Sequence, residues 1–214
     1  MSTNRTIRNT FTGDHVLEYD QKSKRANWLD PNIVFGLAYP YVKPGQTILD
    51  VGIGTGLSSV LFHKAGLQVL GMDFSSEMLA MCRGKGFAKE LIEHDVSVAP
   101  YPLGDKTVDH AVSTGVMHIF DDLNVIFSEV CRVMRVGGVF TFVVADPIAQ
   151  GVKEQSMGGC KAHKGKANFY NHSEPSMVEL YDRCGFELIN SLRFVSSAIG
   201  KREMSYRACV VQKL

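Results

Sequence analysis

Between residues 46 and 145, short apolar runs alternate with segments whose apolar positions recur every three or four residues. Residues 46–51, Gln-Thr-Ile-Leu-Asp-Val, follow the turn signal Lys43-Pro-Gly45 and read as a strand. Leu57, Val60, Leu61 and Ala65 then mark one face of a helix that Gly66 ends. Residues 67–73 form a second strand, and Ser75 or Ser76 caps a helix through Met78, Leu79 and Cys82. A third strand spans about 91–94. A polar turn over 101–105 precedes a fourth at 108–113. Asp121 or Asp122 caps a long helix whose Leu123, Ile126, Phe127, Val130, Cys131 and Met134 share one face, and Gly137-Gly138 stops it. Val139-Phe-Thr-Phe-Val-Val-Ala145 lacks alternation, as expected of a strand buried on both faces.

Repeated strand–helix–strand units of this length predict an α/β fold, a doubly wound parallel sheet with helices on both faces. Two regions stand outside the rhythm. Residues 1–45 read as one or two helices that cap the core at 46–146. Residues 147–172 are rich in Gly and Lys and long for a loop inside a compact domain, so they read as a lid-like insertion. Residues 173–214 carry a helix through Met177, Leu180, Tyr181 and Cys184, capped by Ser173 and ended by Gly185. Strands at about 187–196 and 204–211 follow, flanking the hairpin signal Ile199-Gly-Lys-Arg202. Neither a repeat nor a linker composition divides the chain, which predicts a single domain over 1–214.

Composition narrows the class. The 214 residues are 45% hydrophobic and 21% charged, which excludes disordered and collagen-like chains. A net charge of +1 disfavours nucleic acid as the main partner. No apolar run approaches the ~20 residues of a membrane span, and residues 1–15 lack the apolar core of a signal peptide. Five cysteines, an odd and scattered set, fit reduced thiols and a cytoplasmic location.

The strongest chemical signal is Leu49-Asp-Val-Gly-Ile-Gly-Thr-Gly56, where the first strand turns into the first helix of the core. Glycines at 52, 54 and 56 allow a sharp turn and close backbone approach to a ligand, with helix N–H groups aimed at it. A dinucleotide fingerprint would be G-x-G-x-x-G. Here the third glycine comes one place early, and Leu57 holds the position it would take. Asp50 would also repel a pyrophosphate, whereas it suits a cofactor bearing an ammonium and a sulfonium.

The spacing D-x-G-x-G-x-G resembles motif I of the class I S-adenosylmethionine-dependent methyltransferases. Met134-Arg-Val-Gly-Gly-Val-Phe140 is similar to the family's approach to strand five, with Val136 in place of the usual proline, and Cys184-Gly-Phe-Glu187 is similar to its turn before strand six. The resemblance implies a Rossmann-like seven-stranded sheet of order 3-2-1-4-5-7-6 with the last strand antiparallel. It implies S-adenosyl-L-methionine as cofactor and S-adenosyl-L-homocysteine as product, without a metal. By the same resemblance Asp50, Gly52, Gly54 and Gly56 form the cofactor loop. Asp73 accepts from the ribose hydroxyls, Asp95 meets the adenine amino group, and Phe74 and Val96 sandwich the ring beside Met78. Ser113, Thr114 and Gly115 edge the methyl-transfer site, and Tyr19, in a Tyr19-Asp20 pair, folds over the cofactor.

His118 is the candidate general base, against a structural role. Cys160, His163 and His172 have poor metal-ligand spacing. The (N/D)PP(Y/F) tetrapeptide of enzymes that methylate base amines is missing, which favours a small-molecule acceptor. Residues 1–28 carry +2 and 151–172 carry +3, leaving −4 elsewhere, so a positive lid over the crevice favours an anionic one. An NAD-dependent oxidoreductase, a protein or RNA methyltransferase and a non-catalytic cofactor-binding module remain as alternatives.

Overall fold

The computed structural model describes residues 14–26, 28–146, 170–197 and 203–214. The lysines of the lid-like insertion, Cys160, His163 and the turn at 199–202 lie outside the described residues. Helices α1 (Asp14–Arg25) and α2 (Asp30–Ala38), then a 3₁₀ turn at Tyr39–Tyr41, precede the sheet. The core runs β1 (Thr47–Val51), α3 (Ser59–Lys64), β2 (Gln68–Asp73), α4 (Ser76–Gly84), β3 (Glu90–Glu93) and β4 (His110–Ser113). It continues through a 3₁₀ turn (Met117–Ile119), α5 (Asn124–Val133) and β5 (Val139–Ala145). Helix α6 (Glu174–Cys184) leads to β6 (Phe186–Ser197) and β7 (Glu203–Lys213).

The seven strands stand in the order β3-β2-β1-β4-β5-β7-β6. The first five pair in parallel, and β7 runs antiparallel between β5 and β6. This is the order the family resemblance implied. Strand β5 is buried at every position because its two faces enter different cores. Phe140, Phe142 and Val144 pack with Phe127, Tyr181 and Phe186. Val143 and Ala145 pack on the opposite face with Val34, Phe62 and Val112. Period two thus sorts one apolar run into two layers.

Local chemistry sets most helix ends as expected. Ser75 accepts from the Met78 N–H, Ser173 accepts from the Ser176 N–H, and Gly185 closes α6 in the left-handed conformation. Three helix ends differ. Helix α3 starts at Ser59, since Leu57 and Ser58 still belong to the turn that leaves Gly56. Helix α5 starts at Asn124, one residue after its cap Leu123, with the Asp122 carboxylate taking the Asn124 N–H from outside. It ends at Val133, ahead of the glycines, because Met134 turns extended and bridges to Val108. Gly138 instead permits a close backbone approach, since a Cβ there would run into the Asp109 carbonyl. Among the described residues no helix is long and apolar enough to cross a membrane.

Candidate functional site

The winding of the parallel strands reverses between β1 and β4, and a crevice opens beyond their carboxyl ends. It encloses about 540 Å³, part of it open to solvent. Gly52 and Gly54 line it from the loop after β1, and Asp73, Phe74 and Met78 from the end of β2 and the start of α4. Val96 contributes from beyond β3, Thr114 and Gly115 from beyond β4, and Tyr19 from α1. An adjoining recess of about 250 Å³ shares Tyr19, Gly52, Gly54 and Thr114 and adds Trp28, Ile53, Thr55, Leu57 and Ser58.

The loop is anchored before it reaches the crevice. The N–H groups of Gly52 and Ile53 both donate to the Met72 carbonyl, at 2.8 and 2.9 Å. A Cβ at Gly52 would strike Val116, and one at Gly56 would lie 2.5 Å from the Phe87 ring and 2.9 Å from the Cys82 sulfur. Gly54 has no atom near its missing Cβ and opens to the crevice. Its N–H donates to Asp73 Oδ2 at 2.9 Å, while Asp73 Oδ1 accepts from the Ser75 N–H at 2.9 Å. One carboxylate therefore braces the glycine loop and the start of α4 together. Burial raises its pKa, opposed by backbone donors from Ser75, Gly54 and Phe74.

Four of the residues predicted to hold the cofactor are outside the lining. Gly56 lies against Phe87 and Cys82. Ser113 is fully buried and donates to the Val51 carbonyl at 2.7 Å. Asp95 accepts from the Ser97 N–H at 3.0 Å and its hydroxyl at 2.7 Å, next to the lining Val96. Asp50 lies beneath the loop, where Oδ2 accepts from the Ser59 hydroxyl at 2.5 Å and Oδ1 is buried without a hydrogen-bond partner. Lining residues that the sequence did not mark as site residues are Val116, Ile119 and Phe120, plus Trp28, Ile53, Thr55, Leu57 and Ser58 in the recess. The first three follow Thr114-Gly115 directly at i, i+3, i+4 spacing, a pattern that plain core shares.

His118 is not among the lining residues either. Its ring lies 6.3 Å from that of Tyr206, and its carbonyl accepts from the Tyr170 N–H at 2.8 Å. Burial, aided by nearby His172, pushes its imidazole down to about 4. It is thus neutral at pH 7 and a weak base. The Tyr19 phenol is pushed the other way, by burial and by Asp30, Asp73 and Asp20, so it stays protonated. Among the described residues no group of three or more His, Cys, Asp or Glu side chains could hold a metal ion.

Asp50 gives the site a pH signature. Burial raises its carboxyl to about 7, against a favourable bond from Ser59 and with repulsion from Asp73 adding to the rise. The folded state then holds this proton to higher pH than the unfolded chain does. The resulting stability is full below the ordinary value of 3.8 and is lost as pH rises through 7. Asp30, raised to about 6 by burial, acts in the same sense and is common to wild type and an Asp50 variant. Asp50→Asn should lose less melting temperature than wild type between pH 5 and 8.5, by roughly 5 °C. Parallel melting curves across that range would mean that Asp50 ionises in the fold without penalty.

A family model described as a methyltransferase domain matches residues 49–142. The chain is 37% identical over 98 residues to a malonyl-[acyl-carrier protein] O-methyltransferase of Pectobacterium atrosepticum, covering 46% of this chain and 38% of that one. It is 38% identical over 106 residues to a phosphatidylethanolamine N-methyltransferase of Cereibacter sphaeroides, covering 46% of this chain and 50% of that one. The chain thus spans half or less of the length of these two curated relatives. Among solved structures, the Burkholderia thailandensis 1,6-didemethyltoxoflavin-N1-methyltransferase, with bound 1,6-didemethyltoxoflavin and S-adenosylhomocysteine, has a TM-score of 0.71. That alignment covers 98% of this chain and 88% of that one at 18% identity, a likeness of fold.

Proposed function

We propose that this chain, which belongs to the class I S-adenosylmethionine-dependent methyltransferases, transfers a methyl group to a small-molecule acceptor by in-line displacement. The observation that carries the reading is Asp73. A carboxylate braced by Gly54 and Ser75, between an open glycine loop and the apolar Phe74, Met78 and Val96, suits a ribose with an attached adenine. A dinucleotide fits less well, because Leu57 stands where a third glycine would let a pyrophosphate approach.

In this reading Asp73 accepts from the ribose hydroxyls, and Phe74 and Val96 flank the adenine, with Met78 beneath it and Asp95 near its amino group. Gly52, Gly54, Thr114 and Gly115 pass along the methionine moiety, and Tyr19 closes over it. Asp50 lies below the loop, a buried carboxyl that takes on its charge as pH rises through about 7; Gly56 and Ser113 fix the backbone that surrounds the site. When bound, S-adenosylmethionine supplies a methyl on a sulfonium, already electrophilic enough for direct attack by an O, N, S or C nucleophile. The chain's own contribution is then to align the acceptor, exclude water and hold the reacting atoms close. Neither a metal nor a base at His118 is required.

The positive charge of residues 1–28 and 151–172 supports an anionic acceptor. The curated relatives named above direct the panel toward carboxylates and primary amines. The continuous sheet from β1 to β7 supports reading 1–214 as one catalytic unit. Calorimetry with S-adenosylhomocysteine and with NAD, followed by release of S-adenosylhomocysteine over that panel, tests the reading. Binding of the first ligand and turnover of a small acceptor are expected. Binding of NAD instead, or turnover only with protein or RNA, would replace it.

A further inference from the structure

Asp20 of α1 joins its own helix to the glycine loop and to α4. Its Oδ1 accepts from the hydroxyl of Thr55, a buried residue at the tip of the glycine loop, at 2.5 Å. Its Oδ2 pairs at 2.5 Å with Lys85, which caps the C-terminal end of α4. Asp20 is thus fastened to elements 35 and 65 positions away along the chain, while its neighbour Tyr19 lines the crevice. An exposed ion pair alone contributes little. Here one arm reaches a buried hydroxyl, whose loss of an acceptor is felt in the loop itself.

We infer that Asp20 is a positioning residue for cofactor retention: held between Thr55 and Lys85, its carboxylate fixes α1 across the glycine loop so that Tyr19 stays over the bound cofactor. The inference rests on the proposed cofactor reading of this crevice. The cofactor leaves past Tyr19 when α1 lifts, and lifting breaks both contacts of Asp20. Loosening them therefore speeds release more than capture.

The chain carries its own reporter. Trp28, its single tryptophan, lines the recess and meets the Tyr19 ring edge-on at 6.5 Å. Stopped-flow tryptophan fluorescence on the full chain, with S-adenosylhomocysteine as probe, reads both rate constants. Asp20→Ala should raise the dissociation rate on the order of tenfold and leave association within about twofold. Thr55→Val should give a similar but smaller rise, Thr55→Ser, which keeps the hydroxyl, should restore wild-type release, and Lys85→Met should have the least effect. Lys22→Ala breaks only the exposed Lys22–Glu18 pair of the same helix and should change nothing. If Asp20→Ala fails to fold, Thr55→Val decides. Unchanged release in Thr55→Val, or a lowered melting temperature in Asp20→Ala with unchanged release, overturns the inference. Failure of the wild-type chain to bind the probe would instead overturn the cofactor reading beneath it.

Discussion

Gly54→Val should weaken S-adenosylhomocysteine binding at least on the order of a hundredfold, about 2.7 kcal/mol, in a chain that still folds. The three loop glycines make this a discriminating experiment. Side chains at Gly52 and Gly56 would collide with Val116 and with Phe87 and Cys82, so substitution there damages packing before it reaches any ligand. At Gly54 a Cβ meets nothing within 4 Å, because the space it enters is the crevice. A branched side chain would occupy that space directly. The backbone contributes a second penalty, since Gly54 has φ of +52° and a valine held there costs about 1–2 kcal/mol. That strain lowers the melting temperature without removing the fold. The check is calorimetry beside circular dichroism. A folded Gly54→Val chain with wild-type affinity would move the ligand away from this loop.

The sheet was legible because its cues are local and periodic: apolar runs for strands, helical spacing between them, Ser75, Ser173 and Gly185 at helix ends. The crevice was legible to the extent that chain position decides it. Gly54, Asp73 and Phe74 lie at or just past strand ends and line it. Side-chain direction was not legible. Asp50 and Ser113 sit at the same strand ends, yet one turns to Ser59 and the other donates to Val51. Nor were partners far along the chain. The closeness of His172 to His118, and of Thr55 and Lys85 to Asp20, comes from tertiary packing that spacing does not encode. Val116, Ile119, Phe120 and Trp28 passed unnoticed for another reason: an apolar wall has no chemical mark that separates it from core.

Asp73→Ala should lower affinity for S-adenosylhomocysteine by roughly 30-fold, within the 1–3 kcal/mol expected when buried donors lose a charged acceptor. Two losses combine in that figure. The ribose hydroxyls lose their partner, and the Gly54 and Ser75 N–H groups lose the carboxylate that sets the loop against α4. Affinity alone cannot separate a ribose contact from a loop brace, but a ligand lacking the ribose 2′-hydroxyl can. In wild type that ligand should bind about tenfold more weakly than S-adenosylhomocysteine, because it leaves Asp73 one donor short. In Asp73→Ala the two ligands should bind nearly alike, since the group that distinguished them is gone. RT times the logarithm of the quotient of those two affinity ratios is the coupling energy between side chain and hydroxyl, free of the loop contribution common to both ligands. Equal ratios in the two proteins would leave Asp73 as a brace for Gly54 and place the ribose elsewhere in the crevice.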